Sequence, residues 1–244
     1  MAHRVCVVIP NHNGSRTIGR CLEAVYAINF DDFEVVVVDD CSDDNSVEII
    51  KSFPCKLIKL PKQSGSSAAR NIGASNSGAS ILFFTDSDCL PEKDFLALAI
   101  KTLEKKGPGA VVGGTYTGKP CDTGFYSRFQ SVFINYSETK NRANPDYIAA
   151  HAMVINAEDF RKAGCFPENF LPIIEDVEFS HRLRRHGHRL LINPEMLVRH
   201  IFDFSFYKSM RNAVKKSMFW TIYSLDNRDL FDDSGTASLE LKCN

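Results

Sequence analysis

The 244-residue sequence has no long hydrophobic run and no excess of charge of either sign. Its longest apolar runs, such as 5–9 and 81–84, fall far short of the roughly 20 residues that a membrane-spanning helix needs. The N-terminal run is also too short for the core of a signal peptide. The balance of 29 basic and 30 acidic residues disfavours a general binder of nucleic acids. We therefore expect a cytoplasmic protein with no nucleic-acid partner.

The eight cysteines lack any CxxC pair. Several lie within apolar stretches, which favours buried reduced thiols over a zinc site or a disulfide framework. The composition is otherwise that of a folded domain, with 44% hydrophobic and 24% charged residues. Such a composition excludes a disordered chain. The length suits one large domain, or two closely joined lobes, with a substantial core.

Short apolar runs alternate with segments of helical periodicity in the first half. The predicted strands are 5–9, 34–38, 56–59 and 81–84, followed by an apolar run at 110–113. The predicted helices are 18–28, 47–53, 66–76 and one that Pro91 opens and that runs to about Lys106. This alternation predicts an α/β fold with a mostly parallel central sheet flanked by helices. Ligands of such sheets bind beyond the carboxyl ends of the strands.

The second half is less regular. We predict a loop at 118–124, a strand at 148–155 and a helix at 176–186 that Gly187 ends. From Phe204 to Leu225, apolar residues share one helical face and basic residues another. The segment is either a helix whose apolar face packs on the domain, which we favour, or an interfacial helix at an anionic lipid surface. We divide the domain into halves at 1–115 and 116–227, followed by a flexible tail at 228–244.

Acidic residues directly follow two of the predicted strands. Asp39 and Asp40 end the second strand, and Asp86 and Asp88 follow the fourth. Side chains at these positions point into the ligand crevice of an open sheet, although aspartate is also a common turn residue. Asp86 and Asp88 are two residues apart and project to the same side of an extended segment. One of them could therefore bind a divalent cation while the other accepts from a sugar hydroxyl.

A third acidic pair, Glu175 and Asp176, stands at the start of the predicted helix 176–186. Acidic residues at this point cap the helix and interact favourably with its dipole. The same position also suits a general base that the helix start keeps ionised and that apolar neighbours shield from water. The sequence leaves both interpretations open.

Five stretches, taken together in order and spacing, resemble the family 2 glycosyltransferases with the glycosyltransferase A fold. They are Val7 to Gly14, Val38 to Asp43, Ala69 to Gly73, Phe84 to Cys89, and Glu175 to Leu183 followed by Gly187. The match runs over roughly residues 4–225, and His12 stands where the family commonly has tyrosine. The resemblance implies a single-domain, metal-dependent, inverting enzyme. It would move a sugar from a nucleotide-diphosphate donor, with a UDP-sugar favoured, to an acceptor hydroxyl by single displacement.

The resemblance also implies roles for individual residues. The donor-binding residues would be Pro10 through its backbone, Asn13, Asp40, Arg70 and Asp86. Asp88 would bind Mn²⁺ or Mg²⁺ on the diphosphate, and Asp176 would be the catalytic base. His200 matches a histidine that completes the metal site in many members, although a lone histidine is more often structural.

Relatives of this kind act in polysaccharide or glycolipid biosynthesis, so the resemblance implies a glycan or lipid-linked acceptor. Contact with the inner face of the membrane stays open. The QxxRW motif of the processive synthases is absent, which favours one transfer per acceptor. The alternatives are a sugar nucleotidyltransferase, disfavoured by the single glycine in Asn11 to Arg16, and a nucleotide-sugar binding module without catalysis, disfavoured by Asp88 and Asp176. A receiver domain is excluded because the chain is about twice too long.

Overall fold

The computed structural model describes residues 3–169 and 173–227. The strands are β1 (Val5–Asn11), β2 (Phe33–Asp39), β3 (Lys56–Lys59), β4 (Ile81–Phe84), β5 (Cys89–Pro91), β6 (Ala110–Tyr116), β7 (Met153–Asn156) and β8 (Arg189–His200). The helices are α1 (Ile18–Tyr26), α2 (Ser46–Ile50), α3 (Ser66–Ser75), α4 (Phe95–Lys106), α5 (Phe125–Thr139), α6 (Ala157–Lys162), α7 (Glu175–Arg185) and α8 (Phe206–Asn227). These strands form one sheet in the order β3-β2-β1-β4-β7-β6-β8-β5.

The first four strands confirm the predicted parallel half of the sheet. β3, β2, β1 and β4 are neighbours and run parallel to one another. Successive residues of β1 enter different cores, since Val5 and Val7 pack with one hydrophobic cluster and Cys6 and Val8 with another. Burial on both faces explains why these strands are continuous apolar runs in the sequence.

The second half makes the sheet mixed. β7 is antiparallel to both β4 and β6, β6 is parallel to β8, and β5 is antiparallel to β8. Because β7 runs against β4, its first residue Met153 pairs with Phe84, the last residue of β4. The 3₁₀ turn Ala150–Ala152 that precedes β7 therefore lies at the carboxyl edge of β4. This arrangement brings part of the second half to the predicted ligand edge.

One element prediction in this region is wrong, one is right only in part, and one helix has no predicted counterpart. Pro91 ends strand β5, which pairs with β8 at the sheet edge where proline is tolerated, and helix α4 begins only at Phe95. The predicted strand 148–155 is a 3₁₀ turn followed by β7. α5 lies in a region for which no helix is predicted. The tail predicted for 228–244 lies outside the described residues.

The prediction that the apolar face of the segment 204–225 packs on the domain is also wrong. α8 exists, but Met210, Val214 and Met218 on that face are at least half exposed. The helix instead packs through Trp220 and Tyr223, which join a small core with residues of α7. No helix within the described ranges is long and apolar enough to cross a membrane.

Gly114 offers a test of the packing between β6 and β8. It lies where the pairing register of these strands shifts, and a Cβ here would collide with the backbone oxygen of Met196 and approach Phe95 to 2.7 Å. Because backbone cannot move aside cheaply, we expect Gly114→Ala to lower the free energy of unfolding by about 1–3 kcal/mol. Urea denaturation would measure the change. Gly118→Ala is the control, since no atom lies within 4 Å of its added Cβ. Equal stabilities of the two variants would contradict this packing.

Candidate active site

Two cavities adjoin at the carboxyl edge of the sheet. The first encloses about 270 Å³ and is lined, among others, by Pro10, Asp40, Arg70, Asp86, Asp88 and His200. The second encloses about 260 Å³, and its polar and aromatic lining includes Glu138, His151, Asp176, Lys216 and Trp220. Arg70 and Asp86 line both cavities. The structure therefore brings seven of the eight predicted site residues to two cavities with a shared wall.

Arg70 forms this shared wall. Its side chain comes from α3, is only 4% exposed, and donates to Asp86 at 2.7 Å and to Glu175 at 2.6 Å. Burial alone would lower the pKa of the Arg70 guanidinium. The charges of Asp86 and Glu175 outweigh this effect and hold the pKa above its usual range. Burial likewise pushes the pKa of Asp86 up, and the charge of Arg70 more than offsets it. Arg70 thus ties α3, the end of β4 and the start of α7 into one charged unit.

The loops after β1 and β2 are held by carboxylates and backbone N–H groups. Asp40 accepts from the backbone N–H of Ser64 at 2.6 Å and of Gly65 at 2.8 Å. The side chain of Asn13 is exposed and accepts from the backbone N–H of Asp43 at 2.9 Å. Asn13 is the one predicted site residue that lines neither cavity. Its observed contact orders the adjoining loop.

Asp88, Cys89 and His200 form a group of potential metal ligands. One donor atom of each lies within 4.8 Å of the others, and His200 Nε2 is 3.4 Å from Asp88 Oδ1. The register of β5 and β8, which pairs Cys89 with His200, creates this proximity. Burial raises the pKa of Asp88, the nearby carboxylate of Asp86 raises it further, and His200 opposes the rise. A bound dication would stabilise the ionised carboxylate at this position.

The donor set fits a divalent cation. His200 Nδ1 is buried and has no hydrogen-bond partner among the described residues. Oxygen from Asp88 and nitrogen from His200 suit Mn²⁺, and Mg²⁺ would use the carboxylate with phosphate and water oxygens.

Asp176 lies in the second cavity at the start of α7. Ile174, the residue before α7, has φ 69° and so adopts the left-handed conformation that a β-branched residue rarely takes; this conformation sets the direction of the helix. Burial and the neighbouring charge of Glu175 raise the pKa of Asp176 to about 7, against the opposing effects of Arg70 and the backbone N–H groups of Ala150 and Val177. A carboxyl with this pKa can exchange protons near neutral pH.

Three further ionisable residues of the second cavity are not among the predicted site residues. Burial raises the pKa of Glu138 to about 8, and burial lowers that of His151 to about 3. Lys216 reaches the same cavity from α8, where burial lowers its pKa and the carboxylates of Asp176 and Glu138 oppose the fall. Glu138 continues the helical spacing of Ser127, Ser131 and Ile134, which lie on the inward face of α5. This spacing is the sequence feature that could have indicated that Glu138 points inward.

A family model described as glycosyl transferase family 2 matches residues 6–162, well over half of the chain. Glycosyltransferase AglE of Haloferax volcanii is 29% identical over 200 residues, which cover 79% of this chain and 65% of AglE. Glycosyltransferase GlyA of Streptococcus pneumoniae is 26% identical over 175 residues, which cover 68% of this chain and 25% of GlyA. The chain thus spans less than two thirds of the length of these relatives.

Solved structures show the same fold at low identity. The mannosyltransferase PcManGT from Pyrobaculum calidifontis, in complex with GDP-Man and Mn²⁺, matches with a TM-score of 0.71 and 20% identity, covering 91% of this chain and 63% of that one. Residues 1–349 of TarS from S. aureus, in complex with UDP-GlcNAc, match with a TM-score of 0.67 and 18% identity, covering 98% of this chain and 69% of that one. The α/β architecture with one mixed sheet is therefore shared with these proteins.

Proposed function

The chain belongs to glycosyl transferase family 2, and from this membership we propose that it is a metal-dependent, inverting glycosyltransferase. The donor would be a nucleotide-diphosphate sugar, with a UDP-sugar favoured, and the acceptor a hydroxyl of a glycan or a lipid-linked sugar. The observation that carries the proposal is the pair of cavities divided by Arg70 and Asp86. One holds the possible metal ligands Asp88 and His200, and the other holds Asp176 with a pKa of about 7.

The first cavity is proposed to hold the donor. The nucleotide would lie against the backbone of Pro10 and near Asp40, with Asp86 beside the ribose. Asn13 would act through the loop that it orders. Asp88 and His200 would hold Mn²⁺ or Mg²⁺, which, when bound, neutralises charge on the diphosphate.

The second cavity is proposed to hold the acceptor. Asp176 would take the proton of the acceptor hydroxyl as its oxygen forms a bond to the anomeric carbon. The bond from that carbon to the diphosphate oxygen breaks, and its electron pair leaves with the nucleoside diphosphate. Because attack and departure occur on opposite faces of the sugar, the anomeric configuration inverts. No covalent intermediate with the enzyme is required.

A thermal-shift screen of nucleotide sugars tests the proposal. We expect one donor, in the presence of Mn²⁺, to raise the melting temperature by about 5–10 °C at a concentration near 100 times its dissociation constant. The shift should shrink when EDTA replaces Mn²⁺. UDP-glucose, UDP-galactose, UDP-GlcNAc and GDP-mannose form the first panel, and free sugars are the control. Absence of a shift with every nucleotide sugar, with or without metal, would overturn the proposal.

A further inference from the structure

The exposed sides of α5 and α8 carry large apolar side chains at helical spacing. On α5 these are Phe125, Phe129, Val132 and Tyr136. On α8 they are Phe206, Tyr207, Met210, Val214, Met218, Ile222 and Leu225. Phe125 is 73% exposed and Val214 is 64% exposed. We call the exposed side of these two helices, defined by these eleven residues, the α5–α8 surface.

The two helices contact each other near their N-terminal ends. The rings of Tyr126 and Phe206 are 5.7 Å apart, and the backbone N–H of Phe204 donates to Ser127. α5 turns inward a face that includes serines and Glu138, which is the reverse of an ordinary amphipathic helix. Within residues 3–169 and 173–227, each of the eleven apolar residues of this surface is at least 45% exposed. An exposed apolar surface of this extent is typical of an interaction site.

The charges beside the α5–α8 surface are predominantly basic. Arg128 on α5 and Lys208, Arg211 and Lys215 on α8 are exposed. Glu138, the acidic residue of α5, is buried, whereas Asp203 pairs with Lys208 at 3.2 Å and Asp226 lies next to Leu225 at the end of α8. The formal net charge of the whole chain is −1, whereas α5 and α8 together carry more basic than acidic residues.

We propose that the α5–α8 surface docks on an anionic lipid bilayer. Exposed apolar side chains flanked by basic residues are the pattern with which a helix lies in the plane of a membrane interface. The apolar side chains would enter the boundary between headgroups and acyl chains, and the long basic side chains would reach the anionic headgroups. A second copy of this chain fits less well, because association through the same surface would bring together eight basic side chains against four acidic ones, Asp203 and Asp226 of each copy.

Vesicle flotation tests the docking. The full chain is mixed with phosphatidylcholine vesicles containing either none or about 30 mol% phosphatidylglycerol. We expect it to float with the anionic vesicles and at least about tenfold less with the neutral ones. Raised salt should weaken the binding because it screens the charges.

Three variants assign the binding to the α5–α8 surface. Met210→Gln/Val214→Gln/Met218→Gln should reduce flotation about tenfold or more, and Lys208→Glu/Arg211→Glu/Lys215→Glu should abolish the dependence on anionic lipid. The matched control, Lys101→Glu/Lys105→Glu/Lys106→Glu, makes the same change of charge on α4 and should float as the unaltered chain does. None of these residues lines either cavity, so nucleotide-sugar thermal shifts report separately on the proposed function.

The docking is overturned if the unaltered chain does not float with anionic vesicles. It is also overturned if the α4 control loses flotation as strongly as the α8 charge variant. Analytical ultracentrifugation identifies the competing occupant. A dimer that Met210→Gln/Val214→Gln/Met218→Gln dissociates, in a chain that does not float, would assign the surface to a second copy.

Discussion

Asp176→Asn is expected to slow donor turnover by a factor on the order of 100 to 10,000 and to change donor affinity little. Asparagine has nearly the same shape and can still accept from one of the two N–H groups, of Ala150 and Val177, that contact Asp176. It cannot accept the proton of the attacking hydroxyl. Release of nucleoside diphosphate with water as acceptor measures turnover, and calorimetric titration with the nucleotide sugar measures affinity.

Glu178→Gln is the matched control for this variant. It removes one acidic charge from the same first turn of α7, but Glu178 pairs with Arg182 and lines neither cavity. Turnover should therefore stay within a few fold of the unaltered enzyme. A loss as large as that of Asp176→Asn would mean that helix electrostatics, and not proton transfer, cause the effect.

The pH dependence of turnover gives a second readout on Asp176. Its pKa is raised to about 7, and only the ionised carboxylate can accept a proton. Turnover should therefore rise as the pH increases through about 7, and fall as the carboxyl becomes protonated below that value. Glu178→Gln should keep this limb of the profile, and Asp176→Asn should lack it. An Asp176→Asn enzyme with full activity would end the assignment.

The parallel half of the sheet could be predicted because its signals are local. β3 and β4 match their predicted bounds, and each of the apolar runs in β1 and β2 is buried on both faces. Asp40 directly follows β2, and Asp86 and Asp88 lie within four residues of the end of β4. Once the strands are parallel, chain geometry alone places these carboxylates at the same edge.

The rest of the site depends on tertiary packing that no local pattern contains. The inward face of α5 is largely polar, so the apolar periodicity of this helix marks its exposed face and not its buried one. Glu138 lies on the inward face and is therefore not indicated by that periodicity. In the sequence, Lys216 belongs to a basic stretch that is typical of a solvated helix face. The position of α8 in the fold makes Lys216 line the second cavity. The Arg70–Glu175 pair joins residues that are 105 positions apart. Contacts at such separations follow from the fold and not from the neighbouring sequence.

Asp88→Asn is expected to remove most of the effect of Mn²⁺ on the enzyme. Asp88 provides the carboxylate of the proposed metal ligands, and an amide oxygen binds a dication more weakly because it carries no net charge. Loss of the electrostatic stabilisation of the leaving diphosphate should lower turnover on the order of 100- to 1,000-fold. Calorimetric titration of Mn²⁺ and of the nucleotide sugar, each in the presence and absence of the other, measures the coupling between them.

Glu92→Gln is the matched control for Asp88→Asn. Glu92 is four residues further along, and its carboxylate pairs with Arg199 at 2.8 Å outside the first cavity. This control should keep the Mn²⁺ dependence, whereas in Asp88→Asn the donor should bind equally with Mn²⁺ and with EDTA. His200→Ala should also weaken metal binding, because without the imidazole Asp88 is left as the single ligand of this pair. Unchanged Mn²⁺ dependence in both Asp88→Asn and His200→Ala would place the cation elsewhere and leave Arg70 as the nearest cation to the diphosphate.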